Sequence, residues 1–141
     1  MENRTIIEVE NEILDEFSVF TDWMDKYEYI IEIGKSLPMI DEKDKTEANL
    51  IKGCQSRVWL SSEFKEGKIF FSADSDAIIT KGIISLLVRV YNGRTPKEIL
   101  SSDFSFVEKI GLKENLSPTR ANGLVSMIKQ IQNYAIAYSG N

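Results

Sequence analysis

The chain has 141 residues, 43% apolar and 28% charged, with a net charge of −5, a profile that fits a soluble globular domain rather than a disordered chain. It holds no histidine and a single cysteine, Cys54, which excludes a Ser-His-Asp triad, a Cys-His dyad, a His-liganded metal, an internal disulfide and a four-thiolate cluster site. An acidic chain with its lysines and arginines scattered among acids repels phosphate, so no nucleic-acid partner is expected.

The length suggests one domain over residues 1–141. Ile6, Val9, Ile13, Phe17 and Phe20 recur at helical steps. Thr21 or Asp22 offers an N-cap for a second helix that carries Trp23, Tyr27, Ile30, Ile31, Gly34 and Leu37, with Pro38 expected to end it. Residues Met39 to Asn49 are polar and read as a surface loop. Val58, Leu60 and Phe64 then alternate with polar residues up to the turn signal Lys65-Glu66-Gly67-Lys68, and Ile69, Phe70 and Phe71 follow, which predicts a β-hairpin. Asp74-Ser75-Asp76 reads as the capped start of an apolar helix over Ala77 to Tyr91, stopped by Asn92-Gly93.

Thr95-Pro96-Lys97-Glu98 matches a capping box, predicting a short helix from Pro96 to Leu100. A helical turn over Phe104 to Ile110 and a last helix opening at Ser117-Pro118 follow, the latter with Ala121, Leu124, Val125, Ile128, Ile131, Ala135 and Tyr138 as its apolar stripe. Helix, helix, hairpin and further helices, without βαβ alternation, make the class α+β: a small antiparallel sheet of two to three strands packed against several helices.

Residues Met1 to Glu16 lack the basic start and apolar run of a signal peptide. The longest apolar stretch, Ile83 to Val90, is broken by Ser85 and Arg89 and falls far short of the roughly 20 residues of a membrane span. No membrane association is expected, and an unpaired cysteine suits a reducing compartment, so the expected location is cytoplasmic.

Cys54, in Gly53-Cys54-Gln55-Ser56, is the one conventional nucleophile with distinctive surroundings. The local sequence leaves it between two readings: a buried cysteine acting as a small hydrophobe, and a near-surface thiol whose neighbours Lys52 and Arg57 favour thiolate. Without a histidine base, acyl transfer is poorly served, whereas attack of a thiolate on the outer sulfur of a disulfide or persulfide needs only one accessible thiol and a partner that brings the sulfur. Asp74, Ser75 and Asp76 stand between a plain helix cap and direct chemistry. Arg120 opposes the dipole of the last helix and is either a solvated surface residue or one with another partner. No metal ligand set is present.

The segment Leu50 to Leu60, LIKGCQSRVWL, resembles the signature GCQS-x-VW of the SufE family. Trp23 to Pro38, Asp74-Ser75-Asp76-Ala77 with Lys81-Gly82, Thr95-Pro96, and Leu116 to Ile128 with Pro118, Arg120, Gly123 and Leu124 match further segments of that family in order and at its spacing. The resemblance implies a fold like that of SufE and the IscU-type scaffold, with three strands in the family sheet. It implies a sulfur acceptor that takes persulfide sulfur from a cysteine desulfurase (of the SufS or CsdA kind) onto the residue matching Cys54. Such a protein stimulates the desulfurase and passes the sulfur to an iron–sulfur scaffold complex. The pyridoxal phosphate belongs to the desulfurase, so this chain needs no cofactor and is an accessory protein rather than an enzyme. Gly53 is expected to let the Cys54 loop move, the thiol resting against the apolar sheet and helix and extending on docking. Gly53, Gln55, Ser56, Asp74, Ser75, Asp76 and Arg120 are the expected loop and partner-facing residues. Two other readings use the same cysteine: a thiol redox sensor and a non-catalytic interaction module.

Overall fold

The computed structural model describes residues 4–140. Residues 1–3 and 141, included in the single-domain expectation, lie outside the described residues, as does the start of the Met1 to Glu16 segment. Among the described residues, no helix is long and apolar enough to cross a membrane.

Two helices open the chain: α1 (Ile6–Ser18), begun by a capping box between Thr5 and Glu8, and α2 (Trp23–Gly34), capped by the Asp22 side chain. The second is shorter than its sequence pattern suggests. Beyond Gly34 the N–H groups of Lys35, Ser36 and Leu37 each donate three residues back, tightening the chain before Pro38 is reached. Residues 39–49 form the expected connecting segment, with short helical turns at Glu42–Asp44 and Glu47–Asn49.

The hairpin pairs β1 (Val58–Lys65) with β2 (Lys68–Ser75), from Val58 opposite Ser75 to Lys65 opposite Lys68. Its two-residue turn, Glu66-Gly67, takes positive φ at both positions (54° and 79°), the backbone that matches strand twist. Val58, Leu60, Ile69, Phe71 and Ala73 face the core. Phe64, expected on the same side, surfaces near the hairpin tip and stacks on Tyr138 with ring centroids 4.8 Å apart. The sheet has two strands. In place of a third, single-residue bridges from Met39, Leu50 and Arg94 cover its edges, which leaves less backbone open to another chain.

The central helix α3 (Ile78–Tyr91) forms where predicted, but Asp74-Ser75-Asp76 does not cap it: Asp74 and Ser75 end β2, and Ala77 takes the cap position without a side-chain bond. The helix is apolar nearly all round because it is enclosed, with Ile83, Ile84, Leu86, Leu87, Val90 and Tyr91 at 1% exposure or less. It crosses α2 where Gly82 meets the Ile30 carbonyl, a contact that no side chain would permit.

The capping box at Thr95 and Glu98 forms as expected and starts α4 (Pro96–Ser101). Two short turns follow, α5 (Phe106–Lys109) and α6 (Leu112–Asn115), the second without counterpart in the sequence pattern. The chain closes on α7 (Pro118–Ser139). Its buried face is Gly123, Leu124, Met127, Ile131 and Ala135, so Met127 replaces Val125, which is 43% exposed. The helix is turned so that Gly123 and Met127 face the Cys54 loop.

Candidate functional site

The Cys54 loop hangs between two clamps. At one end the Ile51 N–H donates to the Val58 carbonyl (2.8 Å). At the other, the Arg57 N–H donates to Asp76 Oδ1 (3.0 Å), while the Arg57 carbonyl accepts from Ser75 Oγ (2.8 Å) and from the Asp76 N–H (3.2 Å). Between the clamps, among the described residues, no backbone hydrogen bond ties residues 52–56 to a helix or strand. Gly53 sits at φ +91°, a conformation that penalises any Cβ, and its Cα lies so close to α7 that a Cβ would come within 2.4 Å of Ser126 Oγ.

Cys54 is half-buried. Its Sγ donates a weak, 3.6 Å hydrogen bond to the Gly123 carbonyl, and a Cβ at Gly123 would lie 3.4 Å from that sulfur. Burial pushes the thiol above its ordinary pKa. This corrects the expectation that Lys52 and Arg57 favour thiolate: the Lys52 ammonium turns outward to Glu47 at 3.2 Å, and desolvation governs the sulfur.

The sulfur opens on a cleft of about 360 Å³. Gln55, Ser56, Thr80 and Arg120 share its wall with Cys54, over a floor of Ile83 and Met127. The Arg120 guanidinium donates to the Tyr27 hydroxyl at 2.8 Å, which gives it the partner that its place near the helix start suggested. Of the residues singled out in the sequence, Cys54, Gln55, Ser56 and Arg120 meet at one cleft, Gly53 seats the loop, and Ser75 and Asp76 hold its C-terminal clamp.

Asp74 points elsewhere. It is 8% exposed and bonds to Lys45 (2.8 Å), Lys81 (3.3 Å) and the Ser75 N–H (2.8 Å). Burial alone would raise its pKa; these donors outweigh that and hold it below the ordinary carboxylate value. Its role is to tie the turn at residues 42–45 to β2 and α3. Trp59 lies under the Lys45 ammonium.

Thr80, Gly123 and Tyr27 belong to the site and were not singled out as site residues by sequence. Gly123 and Tyr27 lie within matched family segments, though neither is marked there as a site residue; Thr80 carries no local signal, because it meets the cleft only through tertiary packing. Among the described residues, no group of three or more His, Cys, Asp or Glu is placed to hold a metal ion.

Comparison with known proteins agrees on one family. The family described as "SufE: Fe-S metabolism associated domain" matches residues 11–135. An "uncharacterized SufE-like protein" of Rhizobium etli is 42% identical over 130 residues, covering 89% of this chain and 88% of that one. Another from Synechocystis sp. is 37% identical over 138 residues, covering 98% and 87%. Among solved structures, a hypothetical protein from Thermus thermophilus superposes with a TM-score of 0.77 at 18% identity, over 94% of this chain and 97% of that one; this likeness shows the fold.

Proposed function

Because the chain belongs to the SufE family, a domain associated with Fe–S metabolism, we propose that it is a persulfide carrier that accepts sulfur on Cys54 from a cysteine desulfurase. The observation that carries this reading is the seat of the chain's one cysteine: half-buried on Gly123, at the middle of a loop clamped only at its ends.

The chemistry needs no base of the carrier's own beyond solvent. The Cys54 thiolate attacks the terminal sulfur of the partner's cysteine persulfide. A new S–S bond forms on Cys54, the old S–S bond breaks, and the partner's cysteine leaves as thiolate, so the exchange is redox-neutral. Loop residues 52–56 give way because little besides the Gly53 and Cys54 contacts with α7 holds them, and the clamps at Ile51 and Arg57 confine the movement to those residues. Arg120 and the loop residues Gln55 and Ser56 form the surface a desulfurase of the SufS or CsdA kind would meet.

On this reading the pyridoxal phosphate stays with the desulfurase, turnover of the desulfurase rises when its persulfide is drained, and the sulfur passes to a scaffold complex. The carrier works in the cytoplasm as an accessory protein, with no nucleic acid or membrane involved.

The test is intact mass after incubation with a desulfurase, pyridoxal phosphate and cysteine. The wild type gains the mass of a sulfur atom and Cys54→Ser does not. A chain that gains none, and leaves desulfurase turnover unchanged, overturns the proposal. So does a chain modified at Cys54 by peroxide but not by the desulfurase, as a redox sensor would be.

A further inference from the structure

The Cys54 cleft differs in charge from the rest of the molecule. In a chain of net charge −5, no aspartate or glutamate lines it, and the polar groups around it are hydroxyls, the Gln55 amide and the Arg120 guanidinium. Arg120 is held by a neutral phenol, and no carboxylate pairs with it among the described residues. The N-terminus of the 22-residue α7 borders the cleft through Ser117, Thr119 and Arg120. Of its first backbone groups, Pro118 has no N–H and the Arg120 N–H is taken by Ser117 Oγ at 3.3 Å. The Thr119 N–H is left without a partner inside the helix.

A second feature is independent of the helix end. Thr80, on α3, is only 7% exposed, yet its hydroxyl has no hydrogen-bond partner among the described residues. Nor is the hydroxyl sealed away, as the Trp23 indole nitrogen is; Thr80 lines the cleft. A hydroxyl that opens on the cleft with no protein acceptor is free to donate to an acceptor on a ligand there. At about 360 Å³ the cleft sits near the lower end of small-molecule sites, roughly 300–1,000 Å³. That is room for a compound the size of an amino acid.

We propose that this cleft binds a small thiol that carries a carboxylate, the cysteine class of compound, and that Cys54 exchanges sulfur with the persulfide of such a thiol without a protein partner. This rests on the persulfide chemistry of Cys54 proposed above. The carboxylate lies against Arg120, the Thr119 N–H and the Thr80 hydroxyl, and the sulfur end faces Sγ. In the exchange, Cys54 gives its proton to solvent and attacks the terminal sulfur of R–S–SH. The new S–S bond forms on Cys54, the S–S bond of the small persulfide breaks, and R–S⁻ takes a proton and leaves as R–SH. One persulfide and one thiol are consumed and one of each is made.

The experiment uses the full chain with no desulfurase present. Persulfides of mercaptopropionate and of its uncharged amide are added at equal concentration, and loading of Cys54 is followed by intact mass. The carboxylate compound should load faster by about tenfold, the ratio one charge-assisted hydrogen bond supplies. Thr80→Val and Arg120→Gln should each shrink that preference, and Arg120→Lys should keep most of it, with thermal melts verifying that each variant is folded. Equal loading of acid and amide by the wild type overturns the site. Loss of the preference in Arg120→Gln but not in Thr80→Val also overturns it, reducing the effect to a surface arginine. A desulfurase that still loads Cys54 when the small persulfides show no preference removes this inference and leaves the carrier reading standing.

Discussion

Gly53→Ala tests whether the Cys54 loop opens apart from the rest of the fold. Alanine at φ +91° costs about 1–2 kcal/mol. Its Cβ would also come 2.4 Å from Ser126 Oγ, far inside the ~3.5 Å of a comfortable contact. Together these strain the seated loop by about 2 kcal/mol or more, roughly a thirtyfold shift in population. Among the described residues no backbone hydrogen bond ties residues 52–56 to a helix or strand, and the one side-chain bond to α7, from Cys54 Sγ, is weak, so the strain is relieved by lifting the loop off α7 instead of unfolding the chain. The expected result is faster alkylation of Cys54 by iodoacetamide, rising toward the rate of the same thiol in urea, with a melting temperature nearly unchanged. Adding Ser126→Ala removes the contact but not the φ penalty, and gives an intermediate rate. If alkylation is unchanged while the melting temperature falls by about 6–8 °C, the shift expected when the whole fold bears the strain, the reasoning fails.

Burial raises the Cys54 pKa, so in the folded chain its pH profile of alkylation should lie above that of the urea-unfolded chain. The seated loop should lose stability as pH rises through the raised value, and coincident profiles would count against this account. Glu10, 8% exposed, has its pKa raised chiefly by burial, against a hydrogen bond from Tyr91. Its contribution is present below the ordinary carboxylate pKa and is lost as pH rises, so Glu10→Gln should raise the melting temperature at pH 7 and lose that gain near pH 4. Gly82→Ala places a Cβ 2.2 Å from the Ile30 carbonyl oxygen. It should destabilise the chain by about 3 kcal/mol in urea titration, with little effect on the alkylation of Cys54 under native conditions.

Sequence reading succeeded where the signal is local. The capping box at Thr95 and Glu98 depends on a three-residue spacing, and the hairpin depends on one two-residue turn. It failed where one signal serves two structures. Asp74-Ser75-Asp76 has the oxygens of a helix cap, but those oxygens are used sideways, on Lys45, Lys81 and Arg57, because β2 runs through Ser75. The phase of α7 was misjudged for a similar reason: Val125 and Met127 both suit an apolar stripe, and only packing against the loop selects Met127. At the site, Cys54 and Arg120 were legible as unusual residues. That Arg120 leans on Tyr27, 93 positions away, follows from how α2 and α7 meet, which no local pattern encodes.

The seat of Cys54 also suits its two proposed states differently. As a thiol, Cys54 donates its S–H hydrogen bond to the Gly123 carbonyl, an acceptor that favours S–H over S⁻, and burial acts in the same direction. A thiolate is the nucleophile in sulfur exchange, so the seated cysteine is held in its less reactive form, and lifting the loop both exposes and activates it. A persulfide reaches farther by one S–S bond, about 2 Å. On the proposed reading, that terminal sulfur would enter the cleft that Thr80 and Arg120 also line. These groups donate hydrogen bonds, so they favour an anionic sulfur where the carbonyl disfavours one. The loaded loop should therefore sit more firmly than the empty one. Amide exchange at residues 52–56 should be slower after loading, and Thr80→Val should remove much of that difference. Exchange that is faster in the loaded chain would mean that the cleft expels the sulfur, and that Gly123 rather than Thr80 and Arg120 sets the resting position.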